Sequence, residues 1–309
     1  MGGSSNGSGL YQSDDTGKTW KHLGWRNIKC YSMDMVQSSN GRILYEATGL
    51  GVLRSTDYGE HWKQITDWRM SEVMDVAVNQ KNPEEIYLAT AHGAWRTRDG
   101  GRSWEYLNGI NPHFGSRAMY SQDTLLPNAL VIAGEGGIFW RNSSDTSWHS
   151  PKNGPTQVRD VKFKRIILHS THDHIEIDKS GNPTPPSKEK TADMWIAASG
   201  KDGLFFSFKG IIGFAGNTTN RWSDTAATWC VEQQDDHRIW GGPDGVSDES
   251  FGGDVGMIAV DHTLKNVTTC LRVGDKNIIG TLDQGIDIWG AKPLPHRQLW
   301  TLKSFLVTP

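Results

Sequence analysis

Short runs of alternating apolar and polar residues, bounded by Gly, Asn, Asp and Ser, recur along the chain. Tyr31–Gln37, Arg42–Thr48, Gly51–Ser55 and His61–Thr66 form one set of four. Val73–Asn79, Glu85–Thr90, Gly93–Thr97 and Ser103–Leu107 form the next. Alternation at period two over such lengths predicts half-buried β-strands. Two sets with the same internal spacing predict a repeating unit of four short antiparallel strands.

A turn signature punctuates the pattern. SDDTGKTW (Ser13–Trp20), STDYGEHW (Ser55–Trp62) and TRDGGRSW (Thr97–Trp104) all read S/T-x-D-x-G-x-x-W, and their tryptophans stand 42 residues apart. A damaged copy ends at Trp148; it keeps Arg141-Asn142 and the Trp but lacks the Gly. The hydroxyl of Ser13, Ser55 or Thr97 and the carboxylate of Asp15, Asp57 or Asp99 can accept backbone N–H groups of a tight turn. Gly17, Gly59 and Gly101 supply a backbone conformation that a side chain disfavours. Trp20, Trp62 and Trp104 then begin the next strand and bury a large flat surface.

A fainter marker extends the count: a Gly opening the third strand, at Gly9, Gly51, Gly93, Gly137, Gly203, Gly245 and Gly285. The expected fold is therefore all-β, a single β-propeller domain over 1–309, built of four-stranded antiparallel blades. Seven blades fit the markers, with six as the alternative, since the third strand after Gly245 is polar. An insertion at 169–191 falls between the first and second strands of one blade. The first blade begins midway, and Ser304–Pro309 reads as an extra strand that could close the ring.

Composition narrows the function classes. Lys plus Arg total 32 against 35 Asp plus Glu, a net charge of −3 that supplies no field for gripping nucleic acid or an anionic membrane. No apolar stretch reaches the roughly 20 residues that span a bilayer, so no membrane insertion is expected. Cys30, Cys230 and Cys270 allow one pair and leave one over. Sequons at Asn142, Asn217 and Asn266 would permit glycosylation. The compartment stays open, with a secreted or cell-surface setting favoured.

The three turns resemble those of Asp-box (bacterial neuraminidase repeat, BNR) propellers. That family includes sialidases, xyloglucan-degrading glycosidases, sortilin-type receptors and propellers that assist photosystem II assembly. The resemblance is specific over residues 9–150 and architectural over 151–309. It implies that the box lies between third and fourth strands at a blade's outer edge, away from the ligand face. On that basis Asp15, Asp57, Asp99 and the box tryptophans are structural. The early Arg-Ile-Pro-type motif of sialidases is absent, and the xyloglucan enzymes use a second propeller for which this chain has no room.

A ligand face should then lie opposite, where fourth-to-first and second-to-third connections meet. Two repeated pairs fall there, Trp25-Arg26 and Trp68-Arg69, each just after a fourth strand. Asp34, Asp75 and Arg159-Asp160 stand near the innermost strands, and Glu135 is on a second-to-third connection along with His92, Asp202, Asp244 and Asp283. An aromatic ring beside a guanidinium suits a sugar carrying a carboxylate. Glu135, Asp75 and Asp34 are candidate catalytic acids or bases, with Trp25, Arg26, Trp68, Arg69, Arg159 and Asp160 as ligand contacts. The competing reading has the tryptophans wedging neighbouring blades and the aspartates capping turns or tying blades together.

Inside the insertion, His169, His172, His174, Glu176 and Asp178 invite a metal assignment. Their place on the box face favours a solvated hairpin instead, and no metal or cofactor is expected. No phosphate loop, nucleophile elbow or Cys-pair zinc spacing occurs. The expected function is a non-catalytic binding or scaffold propeller that recognises a protein or glycan partner, or serves as a subunit of a larger assembly. The alternative is a carbohydrate-active enzyme, a sialidase-like glycosidase or polysaccharide lyase acting on an acidic sugar.

Overall fold

The computed structural model describes residues 9–15, 18–110, 115–120, 129–142, 145–168, 190–207, 215–218, 227–234, 237–250, 257–261, 263–273, 276–281 and 286–290. Among them are 24 strands and no helix. They form seven antiparallel sheets, each built from strands consecutive in the chain. The first holds β1 (Leu10–Gln12) and β2 (Lys21–Leu23). The second holds β3 (Cys30–Ser38), β4 (Gly41–Thr48), β5 (Gly51–Ser55) and β6 (Lys63–Gln64). The third holds β7 (Val73–Val78), β8 (Ile86–Thr90), β9 (Gly93–Thr97) and β10 (Glu105–Tyr106).

The fourth sheet has β11 (Gly115–Tyr120), β12 (Leu130–Gly134) and β13 (Gly137–Arg141). The fifth has β14 (Val158–Leu168), β15 (Lys190–Ser199), β16 (Gly203–Ser207) and β17 (Ala215–Thr218). The sixth has β18 (Cys230–Gln234), β19 (His237–Gly242), β20 (Gly245–Ser250) and β21 (Met257–Asp261). The seventh has β22 (Val267–Val273), β23 (Lys276–Thr281) and β24 (Ile286–Gly290). A polar sequence does not prevent β20 from pairing with β19 and β21 along its length. The fourth strands β6 and β10 span only two residues each, shorter than the alternation at His61–Thr66 and Ser103–Leu107 suggests.

The core lies between sheets. Val36, Tyr45, Ala47 and Val52 of the second sheet pack on Val73, Val76, Ile86 and Leu88 of the third. The other face of the third, with Ala77, Tyr87 and Ala89, packs on Leu130 and Ile132 of the fourth. Val131 and Ala133 meet Val158, Val161 and Trp195 of the fifth. Ile196 and Leu204 meet Val231 and Trp240 of the sixth, and Cys230, Ile239 and Val246 meet Val267 and Ile279 of the seventh. Central strands are thus buried on both faces, which is why β8 and β12 read as continuous apolar runs. Each aliphatic side chain fully buried this way contributes about 1.5–3 kcal/mol.

First strands share a second device. A β-bulge opens β3 between Cys30 and Ser32, β7 between Val73 and Asp75, and β11 between Gly115 and Arg117. The same irregularity recurs at Val158/Asp160 in β14 and Val267/Thr269 in β22. Just before three of them stand Glu72, Gln157 and Asn266, with φ of 49°, 51° and 52°. Each donates its N–H across to the preceding sheet: Glu72 to Gly49 O, Gln157 to Glu135 O and Asn266 to Pro243 O, all at 3.1 Å. The bonds stitch each fourth-to-first connection onto a second-to-third turn, and they supply the stabilisation that left-handed non-Gly residues require.

Several expected features fall outside the described residues: Gly17, Gly285, Asp283, the histidines of the insertion and Ser304–Pro309. The described hairpin resumes at Lys190, where β15 pairs back onto Leu168 of β14.

Candidate functional site

The S/T-x-D-x-G-x-x-W segments at 55–62 and 97–104 occupy the connections from β5 to β6 and from β9 to β10. Thr97 Oγ1 donates to Asp99 Oδ1 at 2.7 Å and accepts the Gly101 N–H at 3.0 Å. Asp99 also accepts the Ser103 N–H at 2.9 Å and the Ser103 hydroxyl at 2.6 Å. Ser55, Asp57, Gly59 and His61 repeat the arrangement, with His61 Nδ1 2.7 Å from Asp57 Oδ2. Ser13, Asp15 and Thr19 repeat it again. The hydroxyl is thus a donor to the carboxylate as well as an acceptor. The seventh residue adds a side-chain contact that the S/T-x-D-x-G-x-x-W pattern leaves open.

Those bonds hold the carboxylates ionised. Asp15 and Asp57 are lowered to about 2, chiefly by the bonds from Thr19 and His61 respectively, and Asp99 is lowered further, chiefly by Ser103. Gly59 and Gly101 have φ of 90° and 92°, and a Cβ on Gly101 would stand 2.9 Å from Ile65 Cβ. The tryptophans reach the preceding sheet: Trp104 Nε1 donates to Ile65 O at 2.9 Å, and Trp148 Nε1 to Asn108 O at 3.0 Å. In the damaged fourth copy Asp145 accepts from Asn142 at 3.2 Å. A bridge from Trp140 to His149 stands where the second, third, fifth and sixth sheets have a fourth strand.

The Trp-Arg pairs lie on the fourth-to-first connections. The Met70 N–H bonds Asp67 O at 3.0 Å to close a turn, and Met70 is buried beneath it. Trp68 at the tip is 87% exposed, and Trp25 on the preceding connection is 40% exposed. Trp68 is therefore not wedged between sheets. Arg69 donates through Nε and Nη2 to Asp67 at 3.0 and 2.7 Å and sits over the Trp95 ring. Arg69 thereby holds the Asp67 carboxyl below its usual range. Arg26 is exposed. Leu50, also exposed, lies on the turn that Glu72 grips through Gly49.

Asp34, Asp75 and Asp160 tie first strands together. Asp34 Oδ2 accepts the Val78 N–H of β7 at 2.8 Å, and Asp160 Oδ2 accepts the Val231 N–H of β18 at 3.2 Å. Buried Asp75 accepts from the Ser32 hydroxyl of β3 and from its neighbour's N–H. Burial raises the Asp34 carboxyl above its ordinary value, against the bonds from Val78 and Met35. The bulges put Asp75 and Asp160 in matching places, with Ser32 rather than Asp34 as their counterpart in β3. Glu135 is exposed on the β12–β13 turn, and Arg159, on the opposite side of β14 from Asp160, lies near Gly200.

Other polar groups carry no evident sequence signature. Glu232 of β18 is buried and meets Lys164 at 2.6 Å and Lys162 at 3.9 Å from β14. Cys230 and Cys270 form a disulfide between β18 and β22, with Cα atoms 5.7 Å apart. The Cys30 thiol donates to buried Glu46, and burial raises both groups. No cluster of His, Cys, Asp and Glu suited to a metal occurs among the described residues.

No protein-family model and no curated protein sequence matches the chain. Solved structures do. An ancestral GH74 enzyme superposes with a TM-score of 0.53 at 12% identity, over 88% of this chain and 37% of that one. The chain therefore spans little more than a third of that enzyme's length. The WD40 β-propeller domain of Doa1 gives 0.58 at 12% identity, covering 87% of this chain and 81% of that domain. YCF48 from Cyanidioschyzon merolae gives 0.56 at 14%, covering 90% and 87%. Likeness at this level of identity carries the fold alone, and the fold is a β-propeller.

Proposed function

We propose that this chain is a seven-bladed propeller of the Asp-box group that binds a protein or glycan partner through the face bearing Trp25 and Trp68. One observation carries the reading: Trp68 stands 87% exposed on a turn that is itself rigidly held. The Asp67–Met70 bond, the Arg69–Asp67 pair and the Glu72–Gly49 bond fix its base. An aromatic side chain presented on an ordered turn loses little entropy on binding, which is how interface anchors work.

The carboxylates weigh the same way. Asp34, Asp75 and Asp160 each accept a hydrogen bond from a neighbouring strand, which favours a tying role for these three over glycoside cleavage. The Cys230–Cys270 disulfide fits a secreted or cell-surface setting. Protein and glycan arrays test the reading. The Trp25→Ala/Trp68→Ala double variant should lose at least roughly 30-fold in affinity for any target that the wild type binds, the scale of a hot-spot residue. Turnover of a sialoside or uronate-containing glycan by the wild type would contradict it.

A further inference from the structure

Residues 42 apart occupy matching places in the second and third sheets, and one cross-strand row differs in its last member. In the third sheet Tyr87 faces Arg96, and Arg96 faces Glu105. Arg96 is buried and donates to Glu105 at 2.7 Å. The matching row in the second sheet is Tyr45, Arg54 and Lys63. A lysine stands where the third sheet has its carboxylate. The Arg54 guanidinium reaches the Tyr45 hydroxyl, but its Nε–H is buried with no acceptor. The matching Arg96 Nε in the third sheet is buried without an acceptor as well. The two rows therefore differ at the outer edge of the guanidinium: Arg96 Nη2 donates to Glu105, whereas in the second sheet the residue at that place is a lysine.

A second comparison meets the first at the same place. Between the first and second sheets Lys21 pairs with Glu60 at 2.7 Å. Between the second and third, the residues 42 further on are Lys63 and Arg102, cation beside cation. Arg102 turns to Glu84 at 3.4 Å. Among the described residues no carboxylate pairs with Lys63.

Arg54, Lys63 and Arg102 line a cavity of about 510 Å³, with the Trp104 ring as part of its wall. Three carboxylates line it as well, each already paired: Asp67 with Arg69, Asp99 within its own turn, and Glu84 with Arg102 of the same wall. We propose that this groove binds a carboxylate from outside the chain, held by Arg54 and Lys63 in the place that Glu105 fills one sheet further on. A guanidinium and an ammonium converging on one carboxylate give short charge-assisted hydrogen bonds. The site does not depend on the exposed tryptophans and is tested through different residues.

Glutarate serves as the free small carboxylate and a hexaglutamate peptide as the acidic segment of a partner, each titrated calorimetrically and in thermal melts. Binding of both assigns the groove to carboxylates in general. Binding of hexaglutamate alone assigns it to an acidic peptide, and of glutarate alone to a small molecule. Lys63→Glu places a carboxylate in cis, and should weaken binding at least about tenfold while holding or raising the melting temperature of the unliganded protein. Arg54→Gln should weaken binding to a similar degree. No binding of either probe overturns the proposal. So does a response in wild type that Lys63→Glu keeps undiminished, or that sodium sulfate of equal ionic strength reproduces in both.

Discussion

In the second and third sheets the connection from third to fourth strand is tied by its own side chains, within eight residues of chain. Among the described residues of the sixth and seventh, ties run between sheets: the Cys230–Cys270 bond, and Asn277 to Asp248 at 2.9 Å. Lys164 and Glu232 add a tie between the fifth and sixth. A local turn stabilises one blade independently of the rest. A cross-sheet bond links the stability of one sheet to that of its neighbour. The second and third sheets carry such local turns in addition to ties between them, such as Asp34 to Val78, and should therefore lose less when a cross-sheet bond is cut than the sixth and seventh do.

Reducing the disulfide, or replacing both cysteines by Ser, is the strongest way to break this contrast. Closing a loop of 40 residues is worth up to about 4 kcal/mol on the chain-entropy account. Hydrogen exchange should accelerate in β18 and β22 and stay unchanged in β5 and β9. Equal acceleration in both regions would mean that the halves unfold as one unit. Next in size, Thr97→Val removes the buried hydroxyl shared by Asp99 and Gly101. It should cost about 1–3 kcal/mol by denaturant titration, with exchange rising in β9 and β10 and not in β18.

Acid sharpens the comparison further. The hydrogen bonds of the turn hold the Asp15 and Asp57 carboxyls at about 2 when folded, below the ordinary aspartate value of 3.8. Their contribution is complete above about pH 4 and is lost as pH falls toward 2. Asp34 and Glu46, raised by burial, act in the opposite sense, since protonation relieves them. Replacing Asp57 by Asn should flatten the acid limb of stability for the second sheet between pH 4 and 2, read by NMR melting at each pH. An unchanged limb would show that the turn carboxylate does not set acid stability.

Much of this is legible in the sequence where a contact is local. Ser55, Asp57 and Gly59 bond one another, so their types and spacing are fixed together and the repeat is plain. The second half repeats too, in a form that hides. Glu72-Val73-x-Asp75, Gln157-Val158-x-Asp160 and Asn266-Val267-x-Thr269 each give a left-handed residue, a buried Val and a residue past the bulge. Only the Val is constant in type, because the left-handed position constrains backbone rather than side chain. The roles of Asp34 and Asp160 depend on which strand packs alongside, a fact no spacing within one blade reveals. Trp68 is not decided by the sequence: a repeated Trp-Arg pair suits a wedge between blades as well as an exposed anchor, and its exposure is a property of the folded connection.

The smallest expected effect on stability is also the most informative about function. Trp68→Ala should change unfolding free energy by no more than about 0.5 kcal/mol, as for any surface site without structural partners. The decisive measurement joins stability and binding on one protein, the Trp25→Ala/Trp68→Ala double variant, by thermal melt and by affinity for an array-identified target. The account predicts an unchanged melting temperature with binding lost. A lowered melting temperature with binding retained would make the tryptophans part of the scaffold and contradict it.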